Sequence, residues 1–349
     1  MNRNASVIDL FCGVGGLTHG IKKAGLNVVA GFDLDETCRY AYEFNNKAKF
    51  IQADISMLDS SEIKQYYNEN EIKILVGCAP CQTFSKQTNK YKDRVNDKKW
   101  TLLKHFSRHI NNIAPEIISM ENVPELANFD IFKQFKQNLI DNDYYVSYKI
   151  INCDEYGIPQ KRRRLVLLAS KLGYIDLIKP KPNQKQKNVL DVFKNLPPLQ
   201  AGKIDKKDPL HRCINLSDIN LKRIKQSKQG GTWRDWDSNL LPNCYKKKTG
   251  GSYGSVYGRM RWDAPSPTIT TQFYIYGTGR YGHPEQDRAL SLREGAILQT
   301  FPRSYKFIEN DSYITYKVLG RQIGNAVPVN LGKIIGKSII KHLEKFENA

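Results

Sequence analysis

Two cysteines, Cys78 and Cys81, flank Ala79-Pro80 at the end of the apolar run Ile74-Leu75-Val76-Gly77. The run is long enough for one buried strand. The turn that follows puts a thiol at the strand's carboxyl end, where open α/β sheets hold their ligands. A thiolate at Cys81 could act there as a nucleophile. Two other chemistries compete for these residues. A cysteine in an apolar run is more often a small core hydrophobe, and that is the reading for Cys78. A C-x-x-C after a strand can also be a dithiol redox pair. This segment alone divides evenly between a redox pair and a single nucleophile. No further cysteine or histidine pair stands at ligand spacing, so no metal is expected.

Other chemistry-bearing residues also fall at strand ends. An N-terminal strand over residues 6–11 runs into Cys12-Gly13-Val14-Gly15-Gly16, where glycines let the backbone approach a nucleotide-like ligand. Thr18 stands where the third glycine of G-x-G-x-x-G would be. A second strand, over 27–32, ends at Asp33, placed to grip a ribose diol about 20 residues after the glycines. A third unit, 49–55, ends at Asp54-Ile55. Together the three loops point to an adenosine pocket. Glu121-Asn122 closes a strand over 116–120, where the carboxylate is either a solvated cap or faces the thiol across the sheet edge. Arg162 and Arg164 enter a strand over 165–169 and would share one of its faces.

The elements that must hold these groups fit a chain of 349 residues, long enough for two lobes. The net charge is +19, yet residues 1–85 carry −2 and residues 179–261 carry +13. An excess confined to one part of the chain points to a polyanion bound on one side, against the plainer reading of a solubilising surface. Residues 83–99 form a long polar loop, rich in lysine, of the kind that closes over a substrate. A helix with Leu102, Leu103, Phe106, Ile110 and Ile113 on its apolar positions follows. Composition changes at Lys179-Pro180, and the chain then runs loop-rich and basic, with Trp233, Arg234, Trp236 and Lys246-Lys247-Lys248 standing out. An apolar helix over 331–343 ends it. Seven scattered cysteines, no run long enough to cross a bilayer and no leader-like N-terminus place the chain in a reducing cytosol.

Six segments stand in order: 9–16, Pro80-Cys81-Gln82, Glu121-Asn122-Val123, 160–164, 259–271 and 322–330. In them the chain resembles the DNA (cytosine-5)-methyltransferases from Asp9 to Asn330, departing at Ala79, where many members have a second proline. That order leaves the redox pair without support. The resemblance implies an α/β fold: a Rossmann-like, S-adenosylmethionine-dependent methyltransferase sheet with a smaller, loop-rich target-recognition domain. It implies a catalytic domain over 1–178 plus 316–349 and a recognition domain over 179–315. By the same carry-over Cys81 adds to C6 of a flipped-out cytosine, Glu121 holds its N3 and amine, and Asn122 holds the turn. Arg162 and Arg164 secure the base and its phosphate. S-adenosylmethionine is expected on Phe11, Gly13, Gly15, Asp33, Asp54, Ile55, Pro80, Leu102 and Asn325, with no metal. Double-stranded DNA is expected on Gln82, Ser85, Lys86, Arg94, Trp233, Arg234, Lys246, Lys247 and Arg259. A compact chain of this type implies a monomeric bacterial restriction-modification enzyme, cytoplasmic and nucleoid-associated, with a separately acting endonuclease. A tRNA cytosine methyltransferase shares these motifs, but that branch carries Cys-Phe-Thr, and no cysteine here precedes a phenylalanine.

Overall fold

Apolar runs alternating with amphipathic helices build the centre of the molecule, whose computed structural model describes residues 4–80, 101–246, 254–309, 313 and 315–347. Every residue of β1 (Ala5–Leu10) is buried, as suits a central strand covered on both faces. It stops one residue earlier than the apolar run, because Phe11 turns into the left-handed region at φ +61°. The chain continues through α1 (Gly16–Ala24), β2 (Asn27–Asp33), α2 (Arg39–Asn46) and β3 (Lys49–Gln52). Next come α3 (Ser60–Lys64), β4 (Ile72–Gly77), α4 (Thr101–Ile113) and β5 (Ile117–Asn122). Then α5 (Asp130–Asp141), β6 (Tyr145–Asn152), β7 (Gln160–Lys161) and β8 (Arg163–Ser170) complete the first half.

Seven of these strands form one sheet in the order β3-β2-β1-β4-β5-β8-β6. The strands from β3 to β5 pair in parallel, whereas β8 runs antiparallel to both of its neighbours. From β1 the chain moves outward to β2 and β3, and from β4 it moves the other way. The carboxyl ends of β1 and β4 therefore flank the switch point where such sheets open a crevice. Because β8 is reversed, it begins at that same edge, with Leu165 opposite Asn122 and Arg164 opposite Ile151. Arg162 does not share a strand face with Arg164. Its amide donates to Gln160 O two residues back at 2.9 Å, a bend that separates β7 from β8.

Beyond residue 179 the described chain is mostly irregular, carrying α6 (Val189–Phe193), α7 (Asp218–Gln226), α8 (Asn243–Lys246), β9 (Ser266–Pro267) and α9 (Leu292–Leu298). Here buried polar pairs supplement the apolar core. Arg288 grips Glu294 at 2.7 Å and 2.8 Å, and Glu294 with Ser291 caps α9. Burial pushes the Glu294 carboxyl up, but the Arg288 guanidinium outweighs it and holds the group at about 2. One apolar cluster joins Cys12, Tyr42 and Phe50 to Phe273, Phe301 and Tyr305, so this part packs directly on the first elements of the chain.

Two last helices, α10 (Tyr316–Asn325) and α11 (Val329–Glu347), return to the N-terminal sheet. Leu331, Ile335, Ile339 and Leu343 bury their stripe against Val7, Val28 and Val76. The backbones of α1 and α11 touch: a Cβ on Gly20 would lie 2.2 Å from Val329 O. Among the described residues no helix is long and apolar enough to cross a membrane.

Candidate active site

Glu121 is the last residue but one of β5 and only 2 % exposed, a costly place for a carboxylate unless it is paired. Arg164 Nε lies 2.7 Å from Oε1, close enough for an ion pair though without the alignment of a hydrogen bond. The Cys78 thiol donates to Oε2 at 2.9 Å. Asn122, next on the strand, donates from Nδ2 to Ala79 O at 3.2 Å and accepts from Val123 N at 2.8 Å. It thus ties the Ala79-Pro80 turn to the end of β5. Arg162 is buried beside this group and donates to Ile269 O at 3.2 Å. Burial and the neighbouring Arg164 guanidinium lower it to about 10, and its Nε finds no acceptor among the described residues.

Cys78 therefore differs from its sequence reading. It is half-buried rather than sealed in the core, and it faces a carboxylate. Cys12, Cys38, Cys153 and Cys213 are buried, and burial pushes each of these thiols up, away from nucleophilic use. Cys81 and the loop over 83–99 lie outside the described residues, as do Gln82, Ser85, Lys86, Arg94 and Lys247.

The neighbouring strand ends carry a second constellation. Gly13 N donates to Asp33 Oδ2 at 2.8 Å, and a Cβ on Gly13 would meet open space, so the turn presents bare backbone. Gly15 is required: its φ is +83°, and a Cβ would lie 2.5 Å from Asn46 Nδ2. Burial raises both Asp33 and, more strongly, Asp9, which reaches about 7. Asp9 Oδ2 accepts from Thr18 at 2.7 Å, whereas the buried Oδ1 has no donor among the described residues. Asp33 has a backbone donor on each oxygen, from Gly13 N and from Asp35 N at 2.9 Å, so the under-compensated carboxylate is Asp9; an acidic turn of bare backbone suits a cationic ligand. Asp54 is turned onto its own loop, accepting from Ser56 N at 2.9 Å, and Ile55 is buried with its carbonyl held by His109 Nε2 at 2.9 Å. Pro80 and Leu102 are half-buried, and Asn325 is exposed at the end of α10. That helix is tied to the loop after β2 by Arg321–Asp35 at 2.6 Å and Gln322–Thr37 O at 3.0 Å. Neither Asp9 nor His109 carries a sequence signal of these contacts.

The recognition candidates separate by burial. Trp233 and Trp236 are buried, stacked on Tyr245 at 4.7 Å and set edge-on to Tyr257 at 5.3 Å respectively. Arg234 lies exposed over the Trp233 ring at 4.6 Å, and Lys246 is exposed. Arg259 is buried, and its guanidinium donates to the carbonyls of Ile224, Ser227, His283 and Gln286 and to Asp287. All five of its N–H groups are engaged in holding loops together, so a DNA contact from Arg259 does not fit this arrangement.

The description "C-5 cytosine-specific DNA methylase" belongs to the family model that matches residues 5–341. The chain is 52 % identical over 343 residues to the Type II methylase M.HgiDII of Herpetosiphon aurantiacus, covering 97 % of this chain and 96 % of that one. It is 32 % identical to the Type II methyltransferase M.Sau96I of Staphylococcus aureus, covering 99 % and 78 %. Its fold is similar to that of a prophage-encoded E. coli protein, with a TM-score of 0.76 at 23 % identity over 97 % and 99 % of the two chains. The matched family model spans the whole of the sheet and all of the segment from 179 to 315, and on that ground the chain belongs to the C-5 cytosine-specific DNA methylases, enzymes of DNA cytosine-5 methylation.

Proposed function

We propose that the protein methylates C5 of one cytosine within a specific duplex sequence, using S-adenosylmethionine and a transient bond between Cys81 and C6 of the base. The observation that carries this reading is the Glu121 carboxylate, buried and gripped by Arg164 and Cys78 at the end of β5, on the sheet edge where β1 and β2 also end. Phe11, Gly13, Gly15, Asp33, Asp54, Ile55, Pro80, Leu102 and Asn325 would hold the cofactor, which supplies an electrophilic methyl group on a sulfonium.

C5 of cytosine is too weak a nucleophile to take that methyl group directly. Addition of the Cys81 thiolate at C6 makes C5 the nucleophilic end of an enamine, dividing one difficult step into easier ones. Glu121 holds N3 and the exocyclic amine, and Arg164 keeps the carboxylate in place. Once C5 is substituted, it loses its proton to a base or water, and the Cys81–C6 bond breaks to restore the aromatic ring. A base inside a duplex must first be flipped out. The exposed cations of the 179–315 segment would meet the phosphates, and the reading includes protection of host DNA against a separate endonuclease.

A duplex containing 5-fluorocytosine tests this, since the adduct cannot lose fluorine and accumulates. Wild type should form it in the presence of cofactor, and Cys81→Ser should not, while still binding the duplex. An adduct that survives the substitution refutes the nucleophile. Adduct formation on tRNA alone refutes duplex DNA as substrate. Bisulfite sequencing of a plasmid carrying the expressed gene identifies the site.

A further inference from the structure

A glutamate side chain ends in an sp³–sp² bond whose rotation is broad, so a single contact leaves its carboxylate free to turn. Glu121 has a contact on each oxygen: Arg164 Nε at 2.7 Å from Oε1 and Cys78 Sγ at 2.9 Å from Oε2. The two come from opposite sides, since β5 lies between β4 and β8. Cys78 immediately follows β4, and its amide donates to Leu10 O at 3.3 Å, which anchors it to the sheet. A thiol is ordinarily a weak donor, but donation to an ionised acceptor is markedly stronger.

We infer that Cys78 is a positioning residue for the methyl transfer: its sulfhydryl, by donating to Oε2, holds the Glu121 carboxylate in one orientation before the base arrives. The inference rests on the reading given under Proposed function, in which Glu121 meets the pyrimidine. An oxygen of a carboxylate can accept more than one hydrogen bond. The thiol and the exocyclic amine of the base can therefore share Oε2, and the orientation is kept as the base enters. Orienting a reacting group in this way accelerates a reaction without any contact to the base.

The competing role for a half-buried cysteine is packing, and the two roles rank substitutions in opposite orders. A packing role tolerates Cys78→Ala and is harmed by the polar Cys78→Ser. A donor role is harmed by Cys78→Ala and recovered by Cys78→Ser. Single-turnover transfer of labelled methyl from S-adenosylmethionine to a duplex is the measurement, with duplex Kd and melting temperature recorded alongside. For Cys78→Ala the expected result is a fall of about tenfold in the transfer rate, the worth of one hydrogen bond to a charged group, at unchanged duplex Kd. Cys78→Ser should recover most of that loss. Should the alanine variant not fold, Cys78→Val fills the volume without a donor and enters the same ranking. A donor-free variant as fast as wild type, or a serine variant slower than alanine, overturns the inference. A wild-type protein that transfers no methyl group to any duplex overturns instead the function on which it rests.

Discussion

Burial holds the Asp9 carboxyl at about 7, with Thr18 on one oxygen and nothing described on the other. Its folded value lies above the unfolded 3.8, so between those values the folded chain binds the extra proton. The stability this contributes is complete below 3.8 and is lost as pH rises through about 7. In the absence of ligand, Asp9→Asn should therefore flatten the fall in melting temperature between acid and neutral pH, measured by calorimetry on both proteins. Parallel curves would show that Asp9 is not the group concerned. At this scale the sequence was a partial guide. The placement of Glu121, Asn122 and Arg164 at one sheet edge was legible because they stand at strand ends in a recognisable order. That the facing thiol is Cys78 was not, because it reads as a core hydrophobe and its partner is 43 residues away, brought near only by the pairing of β4 with β5. Trp233, Trp236 and Arg259 misled for a related reason: aromatic and cationic types read as a nucleic-acid surface, yet here they form the interior of an irregular segment.

Among the elements, α1 depends on glycine for its fit. Intrinsic propensity alone favours alanine over glycine inside a helix by about 1 kcal/mol. A Cβ on Gly20, however, would lie 2.2 Å from Val329 O and 2.5 Å from Lys333 N, both of them backbone atoms that cannot swing aside. Gly20→Ala is expected to destabilise the protein by about 1–3 kcal/mol in spite of the propensity gain. Denaturant unfolding decides the sign, and a stabilised variant would mean that the two helices separate freely. Most strands of the sheet were visible as apolar runs, their ends correct to within a few residues. The bend at Arg162 was not visible, because the basic run gives no sign of where β7 stops and β8 starts, and that depends on partners supplied from residues 153 and 266.

For the molecule as a whole, the charge asymmetry becomes a measurable salt dependence. Residues 179–261 carry a net charge of +13, and several of their cations, Lys206, Lys207, Lys222 and Lys246 among them, are exposed. Each phosphate neutralised contributes a log–log slope of about −0.9, so four contacts weaken binding roughly a hundredfold between 50 and 200 mM salt. Fluorescence anisotropy with a duplex lacking the target site should show at least that loss. A complex indifferent to salt would assign the basic surface to solubility.

The helix that closes the fold follows every strand of the sheet in the chain. While the ribosome is still adding residues, the glycine notch of α1 faces water and the Thr37 loop has no Gln322 to hold it. However early the parallel strands assemble, a nascent chain lacking α10 and α11 keeps that flank open. The loop after β2 then gains its ties to α10 only after the whole sheet has been synthesised. A product cut short before those helices would lack the Arg321 and Gln322 ties to that loop and leave the Gly20 face of α1 uncovered.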